Sequence, residues 1–178
     1  YWSSHIRDGD LRTWCAACSS GEEAYTLAML IEEHFSKVRG AWDTTLLATD
    51  LSPEILSEAK AGIYDEDAIA SLPVSCQKLY FTACGKGEKQ VVPRLKQKIL
   101  FRRCNLMNVE FPFRRAFHII FCRNVMIYFD LPTRQGLVRR FYDFLEPGGY
   151  LFIGHAETID RQSVPFDYVR PSVYRRPL

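Results

Sequence analysis

Short apolar runs alternate along the chain with segments whose apolar residues fall three and four apart. Leu11 to Cys18 is an apolar run of strand length, and behind it Ala24, Leu27 or Ala28, Ile31 and Phe35 share one face of a predicted helix. Thr44 to Thr49 (TTLLAT) reads as a second strand, closed by Asp50. Ser52 then offers an N-cap hydroxyl and Pro53 a first helical residue. Ile55, Leu56 and Ala59 form the apolar stripe, and Gly62 stops the helix. Ala116 to Cys122 (AFHIIFC) is another strand, and Thr133 to Leu145 a helix with Leu137, Phe141 and Leu145 on its stripe. Pro147-Gly148-Gly149 is expected to end that helix and launch Tyr150 to Gly154 (YLFIG) as a strand.

Strands apolar on both faces and separated by helices predict an α/β fold with a mostly parallel sheet covered on both sides. Between Ile63 and Asn105 the pattern weakens to a short helical patch, the polar stretch Gly85-Lys86-Gly87-Glu88-Lys89, and strand candidates at Val91-Val92 and Ile99-Leu100-Phe101. This reads as an excursion from the sheet, a small antiparallel hairpin subdomain. Phe166 to Arg175 holds two alternating segments about Pro171 and suits a terminal antiparallel pair.

A chain of 178 residues that is 47% hydrophobic is long enough for one main core. With 23 basic against 21 acidic residues, its net charge of +2 gives no reason to expect nucleic acid or an anionic membrane as partner. No apolar run approaches the roughly 20 residues of a membrane span, and the opening Tyr1-Trp2-Ser3-Ser4-His5 lacks a charged-then-apolar leader pattern. A cytoplasmic protein is expected. Six dispersed cysteines fit reduced, buried thiols. Cys15-Ala16-Ala17-Cys18 has the spacing of half a zinc site, but no second pair follows and a strand would point the two thiols to opposite faces. Packing, not metal binding, is expected of them.

Four strand ends carry polar residues: Ser19 to Glu23, Asp50, Asn105, and Arg123-Asn124. In an open parallel sheet, ligands bind outside the carboxyl ends of the strands where strand order reverses, so these four sets are expected to converge. A strand that turns through small residues into a helix usually cradles an anion. Glu22 and Glu23 at that place would instead repel a diphosphate and attract the ammonium and sulfonium of S-adenosylmethionine. Taken alone, the pair equally reads as an acidic first helical turn. Asp50 stands where a carboxylate accepts hydrogen bonds from ribose hydroxyls, and equally where a helix cap would stand if Ser52 did not supply it.

The stretch Cys122 to Asp130 (CRNVMIYFD) resembles the CheR-type family, S-adenosylmethionine-dependent methyltransferases that esterify glutamate side chains of bacterial chemoreceptors. WCAACSSGEEAYTLAM, LATDLSPEILSEAKAGIY, CNL and LEPGGYLFIGHAET follow the family in order, from Trp14 to about Thr158. The resemblance implies a Rossmann-like class I methyltransferase fold: a mostly parallel seven-stranded sheet with C-terminal antiparallel pairing and a small β subdomain inserted at about residues 79–103. It implies that Glu23 holds the cofactor with Glu22 beside it at the helix start. It further implies that Asp50 binds the ribose, Asn105 and Leu106 flank the adenine, Arg123 and Asn124 contact the cofactor near the methyl donor, and Tyr128 stands by the reaction centre. The implied partners are chemoreceptor cytoplasmic helices and, in some members, a receptor tail peptide added as a strand to the β subdomain. Gly85 to Lys89 reads equally as a solvated hairpin turn. The family also has an N-terminal helical domain and a linker ending in a Phe-Phe-Arg segment near the cofactor. Because the sequence opens at Tyr1, a truncated piece or an incomplete active site is expected. Three alternatives stay open: a cofactor-binding sensor without turnover, a methyltransferase with another acceptor, and a nicotinamide-dependent oxidoreductase, against which Glu22-Glu23 and the broken glycine pattern argue.

Overall fold

A computed structural model of the chain describes residues 5–160 and 163–178; the opening Tyr1-Trp2-Ser3-Ser4, read above for a leader pattern, lies outside them. The central strand β1 (Thr13–Ala16) pairs in parallel with β2 (Leu46–Asp50) on one side and β7 (Phe117–Cys122) on the other. Beyond them lie β6 (Ile99–Arg103), which pairs in parallel with β2, and β8 (Leu145–Ile153), which pairs in parallel with β7. The terminal strands β9 (Asp167–Arg170) and β10 (Val173–Arg175) complete a seven-stranded sheet of order β6-β2-β1-β7-β8-β10-β9, with β10 antiparallel to both neighbours. The chain moves outward from β1 through β2 to β6, then crosses back to β7 and moves the other way. The reversal therefore lies between β1 and β7, where a doubly wound sheet opens its crevice.

Helices α1 (Glu22–Phe35) and α2 (Pro53–Ala61) close one face, where Cys15, Leu46, Ala48 and Phe101 pack with Ala24, Tyr25, Ala28, Leu56 and Ala59. As its sequence predicts, α2 starts where Ser52 accepts the Ile55 N–H, has Pro53 in its first turn, and stops at Gly62 with φ of 57°. The buried Tyr25 hydroxyl donates to the Ala59 carbonyl at 2.8 Å and fastens α1 to α2. On the other face, Trp14, Ile120 and Leu151 pack with Leu137, Val138 and Phe141 of α6 (Leu131–Asp143). The Trp14 indole donates to Thr49 Oγ1 at 2.9 Å and sits edge-on to Phe111 and Phe141.

Two expectations shift. Leu145 opens β8 instead of closing α6, which ends at Asp143. Pro147-Gly148-Gly149 lies inside that strand as a bulge, the register with β7 jumping from Phe117–Leu145 to Ile119–Tyr150. A side chain at Gly149 would stand 2.8 Å from the Glu146 carbonyl and 3.1 Å from that of His118, so this run answers a close backbone approach as well as a turn. The small sheet is also placed differently from residues 79–103. It consists of β3 (Ile63–Asp65), β4 (Phe81–Gly85) and β5 (Glu88–Val91) in the order β3-β5-β4, while Ile99–Arg103 belongs to the main sheet. Ile63-Tyr64-Asp65 is too short for alternation to register, with Tyr64 its one buried residue. Short helices α3 (Glu66–Ile69), α4 (Val74–Tyr80) and α5 (Pro93–Lys96) join these strands.

At the amino ends of the strands, His118 is buried against Arg12, whose backbone N–H donates to Nδ1 at 3.1 Å. Burial, and next the Arg12 guanidinium, push its pKa down to about 4, with Glu146, Asp10 and Asp8 opposing the shift. The imidazole is thus neutral when folded, whereas an unfolded chain binds its proton below about pH 6.5. Stability is expected to fall as pH drops from about 6.5 to about 4, by up to about 3 kcal/mol at roughly 1.4 kcal/mol per pH unit. Urea unfolding of His118→Gln should show a flatter slope through that window. Asp8, whose carboxyl the Arg115 guanidinium holds below its ordinary value, keeps its own contribution at lower pH.

Candidate functional site

Three conformationally demanding residues shape the turn after β1. Ala17, Ser19 and Gly21 all have positive φ, at 59°, 49° and 98°. Only glycine takes that region without cost, so Ala17 and Ser19 hold strain of about 1–3 kcal/mol each that neighbouring bonds must offset. The Cys18 N–H donates to the Thr49 carbonyl at 2.8 Å, and the Ser19 N–H donates to Asp50 Oδ2 at 2.9 Å. Gly21 also leaves little room for a side chain, since a Cβ would stand 3.1 Å from both Ala59 Cβ and the Tyr64 hydroxyl. That hydroxyl donates to the Ser20 carbonyl at 2.8 Å and ties the small sheet to the same turn.

The turn, the end of β2 and the end of β7 enclose a cavity of about 840 Å³ at the carboxyl edge of the sheet. Ser19, Glu22, Glu23, Asp50, Arg123, Asn124 and Tyr128 line it, with Ala17, Leu27, Leu30 and Phe121 among its apolar walls. Of the expected site residues, Glu22, Glu23, Asp50, Arg123, Asn124 and Tyr128 therefore meet in one place. Asn105 and Leu106 do not line the cavity. Leu106 is buried in the core beneath α6, with its carbonyl taken by Arg140, and Asn105 turns its side-chain oxygen back to the Met107 N–H. Their strand end still joins the site through its backbone, where the Cys104 N–H donates to the Asp50 carbonyl at 3.0 Å.

Charge decides what this cavity suits. Glu23 pairs with Arg123 at 2.6 Å. Glu22 accepts the Ser20 hydroxyl, and Asp50 accepts backbone N–H groups from Ser19, Leu51 and Ser52. Neither makes a salt bridge among the described residues. Because Ser52 itself caps α2, the Asp50 carboxylate faces the cavity edge instead of serving as that cap. Three carboxylates against one guanidinium leave a negative lining that fits a cationic sulfonium nucleoside and opposes a diphosphate. Cys18 lies in the same wall, its pKa pushed up to about 12 by burial and then by the Asp50 carboxylate. Cys15 and Cys122 are also raised, mainly by burial.

Tyr128 is neither a core residue nor a cap: its side chain stands 79% exposed at the cavity rim, on a 3-10 turn over Met126–Tyr128. Glu157 holds that turn, and sequence reasoning assigned it no role. It is 3% exposed, and its carboxylate accepts the Met126 N–H at 2.8 Å and the Gly154 N–H at 2.6 Å. Gly154 is needed for the same contact, since a Cβ there would lie 2.6 Å from Asn124 Oδ1 and 2.9 Å from the Asn124 nitrogen. The signals of Glu157 in the sequence are an acidic residue just past an apolar strand and its place in LEPGGYLFIGHAET, neither of which shows what the carboxylate binds.

An open, doubly wound sheet with a negatively charged crevice at its switch point is the architecture of a Rossmann-like class I methyltransferase domain. The chain belongs to the CheR methyltransferase family, whose S-adenosylmethionine-binding domain matches residues 3–174. A chemotaxis protein methyltransferase of Borreliella burgdorferi is 43% identical over 169 residues, covering 95% of this chain and 59% of that protein. A probable chemotaxis protein methyltransferase of Rhizobium etli is 39% identical over 171 residues, 94% of this chain and 63% of its own. That of Escherichia coli is 36% identical over 172 residues, 94% and 59% respectively. The chain thus spans less than two thirds of the length of these relatives.

Replacing Glu157 by Ala would leave two buried N–H groups without an acceptor, at about 1–3 kcal/mol each. The expected outcome is a lower urea midpoint together with faster hydrogen exchange at the Met126 amide. Unchanged protection there would show that the carboxylate does not hold the turn.

Proposed function

We propose that the domain transfers a methyl group from S-adenosylmethionine to the side-chain carboxylate of glutamates in chemoreceptors, giving the glutamate methyl ester and S-adenosylhomocysteine. The observation that carries this reading is the acidic cavity with an exposed tyrosine at its open rim. When bound, the cofactor supplies an electrophilic methyl on a cationic sulfur. Asp50 would hold the ribose, while Glu23 and Arg123, paired at 2.6 Å, and Asn124 would contact the cofactor from the wall of the cavity. Glu22 adds negative charge at the start of α1.

A glutamate acceptor has a pKa near 4.3 and is already ionised at neutral pH, so the chain needs no general base. Its task is alignment, which can contribute roughly 7–11 kcal/mol when two bound reactants are held in line. Anion and cation become two neutral products, so a site that excludes water favours the reaction. The Tyr128 hydroxyl orients the incoming carboxylate by donating a hydrogen bond to it. Its exposure suits that task, because a residue on a bulky protein partner must reach it from outside. The partners in this reading are the cytoplasmic helices of the receptors, and the location is the cytoplasm. A receptor tail peptide would add to an outer strand of the small sheet, β3 or β4.

Tyr128→Phe is expected to slow transfer of labelled methyl to a purified receptor fragment about 10- to 100-fold, from the roughly 1.5–3 kcal/mol of a hydrogen bond to a charged group. Binding of S-adenosylhomocysteine should stay unchanged. Full turnover by this variant would remove the tyrosine from the reaction, and absence of base-labile methyl ester with the unaltered chain would favour a binding domain without turnover. Asp50→Ala should weaken S-adenosylhomocysteine in calorimetry by at least about tenfold, or about 1.4 kcal/mol. Equal affinity would place the ribose elsewhere.

A further inference from the structure

Away from the cavity, the outer part of the main sheet is covered unevenly. On β2 and β6 the residues facing α1 and α2 are buried, as Leu46, Ala48, Ile99 and Phe101 show. Their alternates, Leu47 and Thr49 with Leu100 and Arg102 in register beside them, face the opposite side. There α6 covers β8 and the centre of the sheet, while the segment after β6 continues as Pro112, Phe113 and Arg114 with no helix over the edge strand. The result is a groove of about 500 Å³ with an apolar floor that includes Leu47, Leu100 and Phe113. Leu100 is 40% exposed within it.

The rim of this groove has one sign of charge. Arg12, Arg102, Arg103, Arg114 and Arg115 all line it, and among the described residues no carboxylate does. Two of the five are engaged elsewhere: Arg12 pairs with Asp10 and Glu146, and Arg115 pairs with Asp8 and Asp10. Among the described residues, Arg102 and Arg103 donate to the backbone carbonyls of Phe101 and Leu51, with Glu54 close enough to Arg103 to feel its charge. Arg102 and Arg114, both exposed, make no salt bridge to any carboxylate among the described residues. A concentration of arginines in a chain of net charge +2 is local, not a reflection of overall basicity.

We propose that this groove docks an acidic, amphipathic segment of a partner protein, whose carboxylates meet Arg102 and Arg114 while its apolar side chains settle on Leu47, Leu100 and Phe113. Guanidinium groups match carboxylates in bidentate geometry, and a pair at the edge of an apolar floor is partly desolvated and so strengthened. The floor favours a peptide over nucleic acid, because Leu47 and Leu100 suit aliphatic side chains and give bases no flat aromatic face to stack on. The docking does not depend on the methyl-transfer reading. Arg103 lies beside Asp50 in register, so a segment seated here would run along the sheet edge toward the cavity.

The test uses the chain itself and a short fluorescent peptide alternating glutamate and leucine, with a lysine–leucine peptide and a single-stranded RNA oligomer as comparisons. The acidic peptide is expected to bind in anisotropy titrations and to weaken steeply with salt as the Debye length falls from roughly 10 Å to roughly 3 Å. The double variant Arg102→Glu with Arg114→Glu should lose affinity about tenfold or more, equivalent to about 1.4 kcal/mol, and Leu100→Ser should lose part of it. Both variants should keep the circular dichroism and the S-adenosylhomocysteine affinity of the parent, which separates loss of docking from misfolding or a damaged cavity. Equal peptide affinity in the double variant, equal binding of the lysine peptide, or tighter binding of the RNA would each overturn the proposal.

Discussion

The central strand allows no freedom of register. Each residue from Thr13 to Ala16 is buried and bonded to a partner on both sides, so a slip of a single position would exchange the faces of Trp14 and Cys15. Trp14 would leave its aromatic cage and its bond to Thr49, and the opposite face would have to accept an indole where a small thiol now fits. Because that strand is pinned, the ends of its neighbours are pinned with it. Asp50, Arg123 and the Ser19 turn arrive at one edge as a consequence of that interior packing.

What the strand ends deliver is then refined by short-range polar bonds. The Asp50 carboxylate is oriented by three backbone N–H groups before any ligand arrives, and Glu23 is oriented by Arg123. On the far side, a buried carboxylate fixes the turn that exposes Tyr128, and a glycine makes room for it. Such preorganisation matters for a reaction that needs alignment more than proton transfer, since groups already held in place need little further ordering when the reactants bind.

The parts of this arrangement that depend on nearest neighbours in sequence were legible there. Ser52, Pro53 and Gly62 bound α2 as their chemistry requires, and the apolar runs of β1, β2 and β7 mark their own positions. Of the eight residues that the family resemblance singled out, six line the cavity. Features that depend on distant partners were not legible. Leu145 has helical spacing, yet it opens β8 because Phe117 stands beside it across the sheet. Tyr64 sits in too short a segment to show a period, and its role emerges only when its hydroxyl reaches Ser20. Leu106 follows a strand end but is drawn into the aromatic core, where Phe111 packs although it comes from a segment without regular structure. Glu157 carries no individual signal because nothing in its immediate sequence shows which two amides it will meet.

The raised pKa of Cys18 bears on chemical self-protection. A methyl sulfonium is an alkylating agent, and a thiolate at its side would compete with the intended acceptor. The thiol, not the thiolate, is the weak nucleophile, and burial beside Asp50, Glu23 and Glu22 keeps this sulfur in that form at neutral pH. The anionic wall that favours a positively charged donor thus also keeps the cysteine of that same wall in its less reactive form.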